Sequence, residues 1–325
     1  MRTDAQSLAQ RLLARDRDAV PEALDLADDR RPARRAAALE LLDILAREAP
    51  FPGAARVGVT GAPGAGKSTL LDALLRTLRP RGESLAIVAV DPSSQQSGGA
   101  LLGDRARVRS GANDPGVLIR SMAARDRLGG LADATRAGVE ILSVVFDRVF
   151  VETVGVGQSE GEIAALADTL LYVASPGSGD LLQFMKAGVL ELPDLFAVNK
   201  KDLGAPAERT ASELASGLAL GERRGDWTPP VLQVSAREGS GIDELVAALD
   251  AHRQHLEASQ ALAERRRRSR EHTVRDALQR RYGSYGVASL GGPEALGARI
   301  RELADGSVVG AIEGLGREIE EALRK

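Results

Sequence analysis

Short runs of consecutive apolar residues, RVGVT, LAIVAV, RVFVET, TLLYVA, LFAVNK and VLQVS, recur from Arg56 to about Val246, separated by longer stretches of helical character. Strands that are apolar on both faces belong to a parallel sheet covered on both sides, so the pattern predicts a doubly wound, mostly parallel α/β sheet. Residues 1–50 follow another rule: Leu8, Leu12, Leu13, Leu24, Leu39, Leu42 and Leu45 recur at helical spacing, with Pro21 and Pro32 punctuating the runs. After His252 the strands stop, and a tail rich in Ala, Leu, Arg and Glu predicts a long helix, a loop through YGSYGVASLGGPEALG and one or two further helices. The pattern thus divides the chain into an N-terminal helical extension over 1–50, an α/β core over 51–252 and a C-terminal helical arm over 253–325.

Composition narrows the class. At 325 residues and 43% hydrophobic, the chain is long enough for a sizeable core. A formal net charge of -3 supplies no electrostatic reason to expect nucleic acid or an anionic membrane as partner. The absence of cysteine excludes disulfides and thiolate metal sites and suits a reducing compartment. Charges run through the first thirty residues, and no apolar stretch reaches the length of a secretory signal or a membrane span, so a cytoplasmic location is expected. His252, His255 and His272 lie in the helical tail without acidic or cysteine ligands in an evident motif, and read as solvated helix histidines. The run ERRRRSRE lacks interleaved aromatics and reads as a charged helix face or a partner-docking surface.

Gly61, Ala62, Pro63, Gly64, Ala65, Gly66, Lys67, Ser68 and Thr69 fit the pattern G-x-x-x-x-G-K-[ST], with a strand before it and an amphipathic helix from Ser68 to about Leu78 after it. Glycines let successive backbone N–H groups curl inward around phosphate oxygens at the positive end of the helix. Lys67 then neutralises the β and γ phosphates and the Ser68 hydroxyl ligates Mg²⁺. The base is chosen elsewhere. Asn199, Lys200 and Asp202 of NKKD end an apolar strand, at the sheet edge where nucleotides bind in open α/β folds. A carboxylate such as Asp202 accepts from guanine's ring N–H and exocyclic amine together, a donor pair adenine lacks. Ser235, Ala236 and Arg237 end the next strand and are placed to close over the base, so GTP rather than ATP is expected.

Three further segments carry a resemblance: VAVDPSSQQSGGALLGDRARV, FVETVGVGQSE and SPGSGDLLQFMKAGVLELPDLFAVNKKD resemble the MeaB/ArgK family of P-loop GTPases, chaperones of adenosylcobalamin-dependent acyl-CoA mutases such as methylmalonyl-CoA mutase. The similarity runs from about Arg56 to Asp202, and the helical ends suit the same family. It implies a P-loop GTPase core, a homodimer through the C-terminal helices, and an activity that gates cofactor loading and protects or reactivates the mutase.

The chemistry of these segments fits that expectation. Asp91 ends a strand read as lying beside the phosphate-loop strand, Asp104 follows in the next loop, and either carboxylate suits the hard oxygen shell of Mg²⁺. Glu152 ends the strand RVFVE and is expected to hold a metal-bound water, while Gly155 offers its backbone N–H to the γ phosphate. Gln158 is a candidate for orienting the attacking water, or an exposed structural glutamine. Asp180, Gln183 and Lys186 sit at positions matching the family's third switch, linked by the resemblance to the mutase. Two departures stand out: Lys186 is followed by Ala187 where the family commonly has a second lysine, and IRSMAARDRLGGL replaces a more serine- and proline-rich segment. No arginine is evidently placed as a finger, so slow turnover accelerated by a partner is expected. The competing readings are an ATP-dependent kinase linked to amino-acid transport, against which NKKD speaks, a metallochaperone, against which the lack of cysteine speaks, and a scaffold that binds nucleotide without turnover.

Overall fold

The computed structural model describes residues 5–29, 31–91, 111, 114–123, 133–153, 160–177, 192–220 and 226–324. In chain order the N-terminal helices are α1 (Ala5–Leu13), α2 (Val20–Asp28) and α3 (Pro32–Glu48). There follow β1 (Ala55–Thr60), α4 (Lys67–Leu78), β2 (Leu85–Asp91), β3 (Val117–Ala123), α5 (Asp133–Val145), β4 (Arg148–Thr153) and α6 (Glu160–Ala164). The chain continues through β5 (Thr169–Ala174), β6 (Leu195–Val198), α7 (Ala205–Leu220), β7 (Val231–Gln233), α8 (Ile242–Ala258), α9 (Ala261–Ser289), α10 (Gly292–Glu302) and α11 (Val308–Leu323). These elements form two compact units: a sheet unit of Ala55–Met122 and Asp147–Leu262, and a helical unit of Met1–Ala54, Ala123–Phe146 and Ala263–Lys325.

In the sheet unit the strand order is β3-β2-β4-β1-β5-β6-β7, and the β2–β4, β4–β1, β1–β5, β5–β6 and β6–β7 pairs are all parallel. Successive side chains on a strand face opposite ways, and each face has its own helices. Val57, Val59, Phe150, Leu171, Val173, Leu195 and Ala197 share one buried cluster with Leu70, Leu71, Leu74 and Leu78 of α4 and Leu245, Val246 and Leu249 of α8. On the other face Tyr172, Ala174, Phe196 and Val198 pack against Ala207 and Leu214 of α7. The doubly wound expectation holds. Two readings need correction. The strand of Asp91 is not beside the phosphate-loop strand: β4 is inserted between β2 and β1. In addition, β3 was not among the strands read from the sequence; as an edge strand with Arg120 and Ser121 inside it, it is mostly half-buried and lacks a continuous apolar run.

The strand starts are tied down by polar groups from α8. The Arg148 guanidinium, nearly buried, bridges Glu83 at 3.0 Å and Asp250 at 2.8 Å. Arg253 donates to the buried Asp168 carboxylate at 3.0 Å, and the same oxygen accepts the Arg56 N–H at 3.1 Å. His252 corrects the reading of solvated histidines: it is 1% exposed, its Nδ1 lies 2.8 Å from Thr169 Oγ1, and Trp227 packs against it in a tilted arrangement with ring centroids 4.8 Å apart. Facing the sheet rather than solvent, this position of α8 needs a side chain with two polar ends, and Nε2 lies 3.5 Å from Asp194 Oδ1.

The helical unit buries Val274, Leu278, Leu296, Ile300, Ile312, Leu315 and Ile319 in one cluster. Arg35 links Asp133 at 3.2 Å to Glu313 at 3.0 Å, joining α3, α5 and α11. Ser307 caps α11 through Gly310 N–H and in turn donates to Asp43 Oδ1 at 2.7 Å. The arginine run serves internal structure. Arg266 donates to Pro52 O and Ala54 O, Arg267 bridges Glu264 and Glu271, and Arg270 caps the end of α10 through Leu303 O and Gly306 O. The tail glycines interrupt the helix where the sequence suggests: at Gly283 the backbone leaves helical geometry, with φ 68° and ψ -174°, so Ala261–Ser289 is two helical segments meeting at a kink, a conformation only glycine adopts freely.

Replacement of the fully buried Leu74 by Ala is expected to cost about 2–5 kcal/mol, through lost burial and the cavity left behind. The neighbouring contrast, Leu203→Ala at a residue 53% exposed, is expected to stay within about 0.5 kcal/mol. Urea denaturation followed by circular dichroism checks both.

Candidate active site

The phosphate loop leaves β1 through Gly61. Its φ is 137°, and a Cβ there would lie 2.1 Å from Val173 O, so the loop's entry is pressed against β5 and accepts only glycine. At the other end Gly66, with φ of 90°, is the N-cap of α4, and a Cβ would lie 2.5 Å from Asn199 Nδ2. Between these glycines the backbone curls over a cavity of about 560 Å³ lined by Pro63, Gly64, Gly66, Lys67, Ser68 and Thr69, with Ala89 and Val90 of β2 and Glu152 and Thr153 of β4.

Lys67 is buried, and its ammonium donates to Gly61 O at 2.7 Å and Ala62 O at 3.1 Å. The Ser68 hydroxyl donates to Glu152 Oε1 at 2.8 Å. Parallel pairing of β1 with β4 sets Val59 opposite Glu152, which brings the carboxylate to the start of α4. The cavity wall therefore presents a cation, a hydroxyl, a carboxylate and the first turn of a twelve-residue helix, a set matched to an anion and its hard counter-ion.

Asn199 ends β6 and joins this loop to the base-side residues. Its Nδ2 donates to Ala65 O at 3.0 Å and Gly66 O at 3.5 Å, while Oδ1 accepts Lys200 N–H at 2.8 Å and Ala236 N–H at 3.1 Å. Both donors and both lone pairs of the amide are engaged by backbone, so the side chain acts as a strut. That role is invisible in the spacing of NKKD. Lys200, at φ 62°, reaches back to donate to Gly64 O at 2.9 Å. Ser235 is the hub of the following loop: its Oγ donates to Asp202 Oδ1 at 2.6 Å and accepts Glu238 N–H, and its N–H donates to Ser240 O. The Asp202 carboxyl is held below the ordinary carboxylate range, first by that hydroxyl, which outweighs the opposing desolvation, with its own backbone N–H and the charges of Arg237 and Lys200 adding to the lowering. Asp202 and Arg237 stay exposed at the sheet edge.

The structure thus gathers Gly61 to Thr69, Glu152, Asn199, Lys200, Asp202, Ser235, Ala236 and Arg237 at the carboxyl ends of β1, β4, β6 and β7. Of Asp91 only the backbone, ending β2, is described. Asp104, Gly155, Gln158, Asp180, Gln183 and Lys186 lie outside the described residues. Sequence reasoning passed over Thr60 and Thr153, whose buried hydroxyls lie 3.3 Å apart; the available signal was a threonine ending each of two valine-rich strands.

Comparison with known proteins identifies the family. The family model described as Methylmalonyl Co-A mutase-associated GTPase MeaB matches residues 20–284. A protein of Pyrococcus horikoshii that bears the name of a GTPase is 46% identical over 226 residues, 68% of this chain and 71% of its own. The methylmalonic aciduria type A homolog of Mus musculus, a mitochondrial protein by name, is 39% identical over 215 residues, 65% of this chain and 52% of its own. Among solved structures, that of a LAO/AO transport system kinase superposes with a TM-score of 0.70 and 26% identity, covering 100% of this chain and 99% of the other. With the phosphate loop, the joined base-side loops and the family match in agreement, this chain belongs to the MeaB family of methylmalonyl-CoA mutase-associated GTPases.

Proposed function

We propose that this GTPase couples GTP turnover to an adenosylcobalamin-dependent acyl-CoA mutase, gating cofactor loading and protecting or reactivating the enzyme. The family match supports that reading, as do the cavity lined by Lys67, Ser68 and Glu152 and the hydrogen bonds by which Asn199 links its loop to the backbone of Lys200 and Ala236. In it the loop from Gly61 to Thr69 wraps the triphosphate with its N–H groups, and Lys67 exchanges Gly61 O and Ala62 O for phosphate oxygens. Asp202 accepts from the guanine edge, with Lys200, Ala236 and Arg237 enclosing the base; Asn199 holds the two loops in register.

The facing oxygens of Ser68 and Glu152, 2.8 Å apart, are the hard donors Mg²⁺ prefers, with Asp91 and Asp104 as further candidates. Bound there, Mg²⁺ would neutralise charge developing on the phosphate oxygens. Gly155 is proposed to donate to the γ phosphate and Gln158 to orient water. Asp180, Gln183 and Lys186 are proposed to couple the site to the mutase. The reading also includes Mg²⁺-dependent hydrolysis to GDP and phosphate, a homodimer through the C-terminal helices, and work in the cytoplasm; none of the described helices is long and apolar enough to cross a membrane.

The purified full chain is expected to hydrolyse GTP slowly, to leave ATP unturned, and to accelerate when an adenosylcobalamin-dependent acyl-CoA mutase is added. Lys67→Ala is expected to lower GTP turnover roughly 100-fold or more, since it removes the cation that faces the developing charge. Phosphate release with each nucleotide, with and without mutase, decides the matter: ATP preference or indifference to the mutase overturns the reading.

The lowered pKa of Asp202 has a direction in pH. A carboxylate whose folded pKa is depressed contributes above its unfolded pKa and loses that contribution as pH falls through the folded value. Guanine recognition by ionised Asp202 should follow the same limb. Ser235→Ala removes the largest lowering interaction, so the acid loss of GDP affinity is expected at higher pH in that variant than in the wild type. A pH series of GDP binding by calorimetry checks the order of the two limbs.

A further inference from the structure

Three dipeptides meet at the phosphate cavity: Thr60–Gly61 leaving β1, Lys67–Ser68 entering α4, and Glu152–Thr153 ending β4. Three hydrogen bonds join them into a closed ring. Lys67 Nζ donates to Gly61 O at 2.7 Å, Ser68 Oγ donates to Glu152 Oε1 at 2.8 Å, and Thr153 Oγ1 donates to Thr60 Oγ1 at 3.3 Å. We infer that the Thr60–Thr153 hydroxyl pair is a positioning device for GTP hydrolysis, fixing the separation of the two strand ends that carry Gly61 and Glu152, and through them Lys67 and Ser68. The inference rests on the GTPase reading of the site.

Packing alone does not ask for these hydroxyls. Thr60 is 0% and Thr153 1% exposed, next to the buried valines and Phe150 of the same strands, and valine would fill the same volume. A buried hydroxyl is costly unless it is bonded, so its use here needs a reason beyond volume. The backbone register supplies one. The β1–β4 ladder ends at Val59 opposite Glu152; one residue on, Thr60 pairs with Tyr172 of β5 and Thr153 with Val90 of β2. The hydroxyl bond carries the connection between β1 and β4 one residue past the end of their ladder, where each chain turns towards its site segment. Among the described residues, the other side chains that link the two ends past the ladder include Lys67 and Ser68, which must engage the substrate.

The test compares Thr60→Val, Thr153→Val and the double variant with the wild type, reading kcat and KM for GTP together with Tm. Each single variant is expected to lower kcat roughly 3- to 10-fold with KM little changed, and to lower Tm modestly because the partner hydroxyl stays buried without its bond, a cost the double variant removes. Because both substitutions remove the same bond, the double variant is expected to match the singles in kcat while its Tm returns towards the wild type, and Thr60→Ser and Thr153→Ser are expected to restore turnover. Unchanged kcat in both valine variants, additive losses in the double, or losses that follow Tm overturn the inference. Should one valine variant not fold, the other removes the same bond and carries the test; failure of both makes the pair structural and overturns it. A folded wild type that turns over no GTP overturns the GTPase reading and this inference together, whereas an active wild type matched by its valine variants overturns the inference alone.

Discussion

The side-chain amide of Asn199 is the interaction on which the site depends. A phosphate loop must keep its backbone N–H groups turned inward, which leaves its carbonyls facing outward and in need of partners. Asn199 answers Ala65 O and Gly66 O with its donors and spends its acceptor on the backbone of Lys200 and Ala236. One planar group thereby sets the distance between the loop around Lys67 and the loops around Asp202. The glycine at position 66 follows from the same contact, because a Cβ would occupy the place of that amide.

The two ends of the sheet are built on different principles. At the carboxyl ends of the strands, polar groups are linked to one another by hydrogen bonds and border a cavity. At the opposite ends, Arg148, His252 and Arg253 meet Glu83, Asp250, Asp194 and Asp168 in sites with little exposure. For the Arg148 and Arg253 pairs desolvation offsets much of the attraction, so their net contribution is modest, yet removing the acids leaves a largely buried guanidinium uncompensated. Together the contacts fix α8 along the starts of β4, β1 and β5 and the turn into β6, so the strands are anchored at one end and deliver chemistry at the other.

The helical unit shows how a charged sequence is absorbed by a fold. Arg266, Arg267 and Arg270 satisfy carbonyls at a chain turn and a helix end, or pair with acids on the same helix. A guanidinium presents several donors in one plane, which suits it to cap carbonyls that have no partner in the helix itself. A run that reads as a charged helix face or a partner-docking surface thus pairs with acids of its own helix and caps backbone carbonyls of its own unit.

By itself, the sequence determined the class of sheet and the phosphate loop. These depend on local rules: unbroken apolar runs for strands covered on both faces, glycines where a side chain would collide, and a lysine and a serine at the start of a helix. Tertiary structure alone decided that β4 lies between β1 and β2, that His252 faces the sheet, that an edge strand forms around Arg120, and that the helical unit takes its parts from three separated stretches. It also decided that Asn199 is a strut and that Thr60 meets Thr153. Each of these depends on residues far apart in the chain brought together by strand order and helix orientation, and no local periodicity carries that information.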